Sequence, residues 1–332
     1  MVEPILRPKK GALPPKAIVV SFLNLKGGVG KTTLCLAIAE FLAHRHKKRV
    51  LLIDLDSQSN LTSAMVGDPS RFSRKTSIYY LFKELLEQRG IDPKWNLQTA
   101  AINPCGNVPS DLLSIVVALP ELGQFDEDLA DALEQSQKSG ALKVDIGWRK
   151  VLSRKIEKVR DLYDYVLIDC PPSLSIFTSN ALVASDWYVT PMAPEFLSIQ
   201  GLDLIDSRMK ALAAKSGLKG KLADFAGCIL NRVDIRRRDH IEKASSVLNN
   251  RRFKAFENWV GDHKPMYLVT DFHYPDNVMH HPWPSLQKKY EFDNQTFVNP
   301  RKSRLEYKAE ADEYTAFQRL EKLTNEFVSR CR

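Results

Sequence analysis

Short apolar runs recur along the chain at residues 18–23, 50–53, 112–119, 165–168, 187–192 and 225–230. Several are continuous rather than alternating, and rich in Val, Ile and aromatic residues. That pattern predicts strands buried on both faces, as in a parallel sheet. Between them the apolar positions recur at helical spacing. Helices are expected over 31–46, 78–86, 125–137, 148–162 and 198–215, and over 307–328, where Tyr314, Phe317, Leu320, Leu323 and Phe327 share a face. Strand and helix alternate, so the fold class expected is α/β, doubly wound, with a mainly parallel sheet flanked by helices. One domain spans 17–332, with variable segments at about 69–145 and 261–301. Residues 1–16 hold four prolines and no apolar core of a signal peptide, and are expected to be a flexible tail.

Composition narrows the picture little. The chain has 332 residues, 44% of them hydrophobic, ample for one large core. No run is long enough to span a membrane. The five cysteines, Cys35, Cys105, Cys170, Cys228 and Cys331, form no C-x-x-C pair, so no zinc or iron–sulfur site is suggested. Cys35, Cys170 and Cys228 lie in apolar runs and are expected as buried thiols in a reducing, cytoplasmic compartment. The net charge of +8 suits an acidic partner, nucleic acid or an anionic membrane surface, as readily as it suits a mildly basic soluble protein.

Candidate chemistry begins right after the first run. Leu25-Lys26-Gly27-Gly28-Val29-Gly30-Lys31-Thr32-Thr33 separates a strand from a helix, the setting of a phosphate-binding loop. Glycines let the backbone wrap phosphate oxygens, and the helix N-terminus adds free N–H groups. Lys31 is placed to neutralise β- and γ-phosphates, and the Thr32 hydroxyl to ligate Mg²⁺. Leu25 stands where the general pattern has glycine, and Lys26 adds a second lysine that one phosphate pocket does not explain. The second and fourth runs end in carboxylates, Asp54 and Asp56, and Asp169. Ligands of such sheets gather at the carboxyl ends of strands.

These stretches resemble the ParA/MinD superfamily of deviant Walker A ATPases, and most closely its ParA/Soj-type partitioning members. KGGVGKTT resembles the deviant Walker A box. Asp54-Leu55-Asp56-Ser57-Gln58-Ser59-Asn60-Leu61-Thr62 resembles the box DxDPQxNxT, with serine for proline. Ile168-Asp169-Cys170-Pro171-Pro172 resembles Walker B and switch II. The resemblance implies an ATPase using ATP and Mg²⁺. Lys26, Lys31 and Asp56 would be catalytic, Lys26 reaching the nucleotide of the other subunit in an ATP-state homodimer and Asp56 positioning water. Gly27, Gly28, Val29, Gly30, Lys31, Thr32 and Thr33 would hold phosphates. Thr32, Asp54 and Asp169 would serve the metal. Asn231, Pro194 and Glu195 would line the adenine, although Asn231 also reads as a residue capping a turn. The implied role is DNA segregation or cargo positioning, for plasmid or chromosome, through nonspecific DNA binding and hydrolysis stimulated by a ParB-like or cargo-adaptor partner. The localisation implied is cytoplasmic and nucleoid-associated. The alternative is a relative that meets a protein or membrane and not DNA.

Two segments bear on that choice. Residues 232–254 hold eight basic and three acidic side chains around a helix with Ile241, Ala244, Val247 and Leu248 on its buried stripe. Arg236, Arg237, Arg238, Lys243, Arg251 and Arg252 are candidate DNA contacts, gripping phosphates without reading bases. A solvated helix surface, or arginines that gate nucleotide, reads equally from the pattern. Residues 271–284 depart from the family: they are rich in His, Pro and aromatic residues and lack the arginines usual there. His273, His280 and His281 have no carboxylate at metal-binding spacing, so this stretch is expected to pack on the core or meet a partner protein. The last helix carries Glu310, Asp312, Glu313, Glu321 and Glu326, which would repel anionic lipid. It is expected to close the core.

Overall fold

All the apolar runs read as strands pair side by side in one sheet. In a computed structural model, the structure describes residues 16–86, 97–101, 112–125, 127–129, 131, 149–195, 202–207, 209–211, 222–234, 236–261 and 316–332. Its strands are β1 (Ile18–Phe22), β2 (Val50–Asp54), β3 (Leu113–Val116), β4 (Tyr165–Asp169), β5 (Trp187–Met192) and β6 (Asp224–Leu230). They lie in the order β3-β2-β4-β1-β5-β6, and every described pairing is parallel. The register sets Phe22 beside Asp169 and Asp54 beside Asp169. The carboxyl ends of β1, β2 and β4 therefore share one edge. β1 lies centrally, so the loop leaving it opens at the middle of that edge.

The helices of seven or more residues are α1 (Lys31–His44), α2 (Asn60–Val66), α3 (Ile78–Leu86), α4 (Val151–Glu157), α5 (Ile176–Ala184), α6 (Arg238–Asn249) and α7 (Ala316–Arg330). Strand side chains alternate between the two faces of the sheet. Val20, Phe22, Leu52 and Leu167 pack with α1, α2 and α7, and the rings of Phe22 and Phe327 stack at 6.1 Å. Val19, Leu51, Ile53, Val166 and Ile168 pack with α3, α4 and α5, where Phe82 meets Phe177 edge-on at 4.8 Å. A third cluster closes the β6 edge with Val233, Ala244, Val247, Leu248 and Trp259. α1 is buried from Leu34 to Ala43, because the sheet covers one side and α7 the other.

Several boundaries differ from the expectations above. The 112–119 strand is four residues long, and the 148–162 helix is regular only as α4, giving way to turns beyond Glu157. The helix within 232–254 is α6 alone, and a 3-10 turn, Arg251–Phe253, follows it. Its buried stripe is His240, Ala244, Val247 and Leu248. Ile241 is half-buried, being one position off that four-then-three spacing. α7 closes the core through Leu320, Leu323 and Phe327, all buried. Cys331 joins Cys35, Cys170 and Cys228 as a buried free thiol. Residues 1–15, Cys105 and the 271–284 stretch lie outside the described residues, as do most of 125–148 and the side chains of Tyr314 and Phe317.

Candidate functional site

The loop from Leu23 to Lys31 is built by its neighbours. Asn24, buried at the end of β1, donates from Nδ2 to the Pro191 carbonyl at 2.7 Å, and its Oδ1 accepts from Lys26 N–H at 2.9 Å. Gly28 and Gly30 take left-handed φ values of 73° and 86°, which reverse the chain into α1. A Cβ on Gly30 would lie 2.0 Å from Asn231 Nδ2. Val29 is buried, while Gly27 and Gly28 are exposed.

Lys31 starts α1 with its side chain turned back into the loop, where Nζ donates to the Lys26 carbonyl at 3.2 Å. Burial lowers its pKa, and Asp169 and Asp56 pull it back up. Its charge is held, with those carboxylates, in a site largely closed to water. Thr32 Oγ1 donates to Asp169 Oδ2 at 2.6 Å. Asp169 is buried, and its Oδ1 is without a hydrogen-bond partner. Burial, then the nearby Asp54 charge, pushes its pKa well above the usual carboxylate range. An ionisable oxygen left bare beside a buried lysine and a threonine hydroxyl suits a hard cation bound with phosphate. Thr33 follows on the same helical turn.

The two carboxylates after β2 differ. Asp54 Oδ2 accepts from Thr62 N–H and Oγ1 at 2.9 and 2.7 Å, and Oδ1 accepts from Asp56 N–H at 3.1 Å. Burial pushes its pKa up to about 7. Both its oxygens are committed to holding the turn into α2, and Asp169 keeps the unpartnered oxygen. Asp56 lies nearer the open edge, 7% exposed, and accepts from Gln58 N–H at 3.0 Å. Among the described residues, no three His, Cys, Asp or Glu side chains converge as a metal cage. Mg²⁺ sites that borrow ligands from phosphate need none.

Other expected residues fall around this centre. Lys26 pairs with Glu195 at the exposed rim, and Pro194 beside it is buried. Asn231 reaches the loop: its Nδ2 donates to the Val29 carbonyl at 2.9 Å, while its buried Oδ1 lacks a partner. One of the two Nδ2 hydrogens of the amide expected to read a base is thus bonded to the phosphate loop. The candidate DNA contacts divide into two groups. Arg236, Arg237, Arg238 and Lys243 cluster at the start of α6, and Arg251 and Arg252 lie beyond its far end, about 18 Å away along twelve residues. Arg236 bonds Asp234, Arg237 and Lys243 bond Asp239, Arg238 bonds Glu242 and Arg252 bonds Asp203. Sequence reasoning missed Asn24 and the bracing role of Thr62. A polar residue directly after a buried strand was the available signal for Asn24.

The AAA domain family matches residues 17–222, the stretch that carries the loop and all three aspartates. A ParA family protein of Chlamydia pneumoniae is 33% identical over 216 residues, covering 64% of this chain and 73% of that protein. This chain belongs to the ParA family. Another relative of this ParA-family chain, an uncharacterised protein of Pseudomonas putida, is 37% identical over 203 residues, covering 60% of this chain. The match spans 65% of that relative's length, just under two thirds. Among solved structures, a Borrelia burgdorferi protein assigned to plasmid partition and bound to AMPPNP superposes with a TM-score of 0.60 at 20% identity. It covers 95% of this chain and 99% of its own. That likeness speaks for the fold, a P-loop sheet of ParA type.

Proposed function

We propose that this ParA-family chain is an ATP-dependent, dimerising switch ATPase that acts in DNA segregation or cargo positioning. One observation carries the reading. Lys31, the Thr32–Asp169 pair and Asp56 meet at the edge shared by β1, β2 and β4, while Lys26 stands outside them at the rim. ATP with Mg²⁺ supplies the transferable phosphoryl group and neutralises charge on its oxygens. The loop N–H groups from Gly27 to Thr33 and Lys31 Nζ bind phosphate oxygens. Thr32 and Asp169 would hold the cation. Asp56 orients the attacking water. Pro194 and Asn231 Oδ1 border the base. Lys26 leaves Glu195 and reaches the nucleotide of the second subunit, so hydrolysis and dimer separation are linked. In this reading the dimer meets nonspecific DNA through Arg236, Arg237, Arg238 and Lys243, with nucleoid association following, and a ParB-like or cargo-adaptor protein stimulates turnover. Among the described residues no helix is long and apolar enough to cross a membrane.

The test is ATP turnover and co-sedimentation with random-sequence DNA at low salt, with ATP or ADP. Turnover lost in Lys31→Ala, and DNA bound with ATP only, support the proposal. The triple change Arg236→Ala, Arg237→Ala and Arg238→Ala should abolish DNA binding and leave ATP binding intact. Loss of both together would count against a separate surface patch.

A second reading rests on the ion pairs. Each arginine of the 236–238 run already has a carboxylate neighbour, which lowers the field available to DNA. In that reading the dimer binds a protein or a membrane. ATP-loaded protein that ignores DNA at low salt selects it.

A further inference from the structure

Two adjacent residues at the end of β6 hold two adjacent carbonyls of the phosphate loop. Arg232 donates from one guanidinium nitrogen to the Gly28 carbonyl at 2.8 Å, and Asn231 Nδ2 donates to the Val29 carbonyl at 2.9 Å. They approach from more than 200 positions away in sequence. The geometry points to Arg232, together with Asn231, as a positioning residue for nucleotide binding: by holding these carbonyls, the pair fixes the direction of the loop N–H groups that bind phosphate.

The peptide plane supplies the reason. In a trans peptide, the carbonyl of one residue and the N–H of the next point in opposite directions and cannot turn independently. Holding the Gly28 carbonyl aims the Val29 N–H away from Arg232. Holding the Val29 carbonyl aims the Gly30 N–H away from Asn231. Each bracing side chain thus orients one donor of the anion-binding nest. Glycines would otherwise let these planes rotate, and the loop has them at 27, 28 and 30.

The surrounding structure is shaped for this contact. Arg232 has φ 57°, the left-handed region that a long side chain rarely adopts. The backbone on either side is fixed, since Asn231 N–H donates to Met192 O at 2.8 Å and Val233 N–H to Val260 O at 3.2 Å. Held at both ends, Arg232 is turned back over the loop. The close approach of Asn231 to Gly30 leaves no room for a Cβ there. The Arg232 charge also reaches Glu195, the partner of Lys26, so the brace stands at the same rim. The ligand class is a nucleoside di- or triphosphate, since the held N–H groups belong to the glycine-rich phosphate loop.

This inference rests on the nucleotide-site reading above, and the experiment separates the two. Full-length wild type, Arg232→Met, Arg232→Lys and Lys31→Ala are titrated with fluorescent N-methylanthraniloyl-ATP and -ADP in Mg²⁺, and their nucleotide-free melting is recorded. Arg232→Met should weaken ATP and ADP by a similar factor, about tenfold for a hydrogen bond from a charged donor. Arg232→Lys should recover part of the loss, and all melting temperatures should agree. Unchanged affinity in Arg232→Met overturns the inference. So does loss of ATP binding with ADP spared, which makes Arg232 a direct γ-phosphate contact. Equal loss without recovery by lysine, with lowered melting, also overturns it, as a purely structural role. Should Arg232→Met fail to fold, Arg232→Leu also removes the Gly28 bond, leaves the group placed against the base untouched and faces the same criteria. If wild type binds no nucleotide, the site reading itself fails. If wild type binds, Lys31→Ala does not and Arg232→Met matches wild type, this inference fails alone.

Discussion

Thr32 Oγ1 donates a 2.6 Å hydrogen bond to Asp169 Oδ2, joining the first turn of α1 to the end of β4 across 137 positions of chain. The bond sets a hydroxyl and a buried carboxylate at the distance from which both can turn to one hard cation. Thr32→Val keeps the shape of the side chain and removes the oxygen. Its fold should lose about 1 kcal/mol. Its affinity for an ATP analogue should no longer rise with Mg²⁺, a loss of about tenfold or more. Titration with and without Mg²⁺ checks this, and a retained Mg²⁺ response would remove Thr32 from the cation site.

Asp169 is held at a cost to the nucleotide-free fold. Burial raises its pKa, so the native state favours the protonated carboxyl. Below the ordinary carboxylate pKa near 3.8, native and unfolded chains are both protonated there and nothing is lost. As pH rises above 3.8, the unfolded chain ionises and the native state loses stability, continuing up to the raised native pKa. Asp169→Asn has no charge to bury. Without nucleotide it should melt a few degrees above wild type at pH 7–8, and the gap should close toward pH 4. It should also lose Mg²⁺-dependent nucleotide binding. Thermal melts across pH 4–8 check the first part. A gap that stays constant with pH would contradict it.

Lys26 and Glu195 form a pair at the exposed rim, their side chains 30% and 48% accessible. The contact depresses the Glu195 pKa, and a pair this exposed is worth about 0–1 kcal/mol. It is a weak tether on the lysine that, in the proposed dimer, would reach the second subunit. Glu195→Gln should loosen it and lower the protein concentration for half-dimerisation in ATP by about two- to fivefold. Lys26→Ala should bind ATP and remain monomeric. Sedimentation velocity over a concentration series measures both. A monomeric wild type in ATP would end the dimer reading.

Gly227 tests the packing away from the site. Its φ is 139°, and a Cβ there would fall 2.1 Å from the Lys254 carbonyl oxygen and 3.0 Å from the Arg330 guanidinium. Arg330 itself ties α7 to this strand through the Ala226 carbonyl, and to the segment after the Arg251–Phe253 turn through the Ala255 carbonyl. Gly227→Ala should cost about 2–3 kcal/mol, or roughly 3–5 °C in melting temperature for a chain of this length. ATP affinity at 10 °C should match wild type. Altered affinity would mean that the β6 edge and the phosphate loop are more tightly coupled than their contacts suggest.

Much of the site was legible because its chemistry is local. A loop such as Lys26–Thr33 is a strand end, three glycines and a helix start in continuous sequence, so spacing alone reveals it. Asp56 and Asp169 were equally visible as carboxylates closing apolar runs. Asp54 was not separable from Asp56 in this way, since two residues of one strand end look alike until Thr62 takes one oxygen of Asp54 and the Asp56 N–H takes the other. The arginines of α6 were visible as a charge cluster. Their neighbouring carboxylates were visible too, but which pairs close depends on side-chain directions that sequence does not carry.

By itself, then, the sequence determined the succession of strands, the helices α1, α3, α4, α6 and α7 but not α2 or α5, the phosphate loop and the residues able to carry phosphate and metal chemistry, because periodicity and local motifs encode those within a few turns of chain. Tertiary structure alone decided that β1 lies between β4 and β5, that Asp169 keeps a bare oxygen while Asp54 does not, and that Asn231 and Arg232 hold the loop from the far end of the sheet. These are contacts between residues far apart in the chain. Their partners are chosen by which faces bury together, and burial is a property of the folded whole.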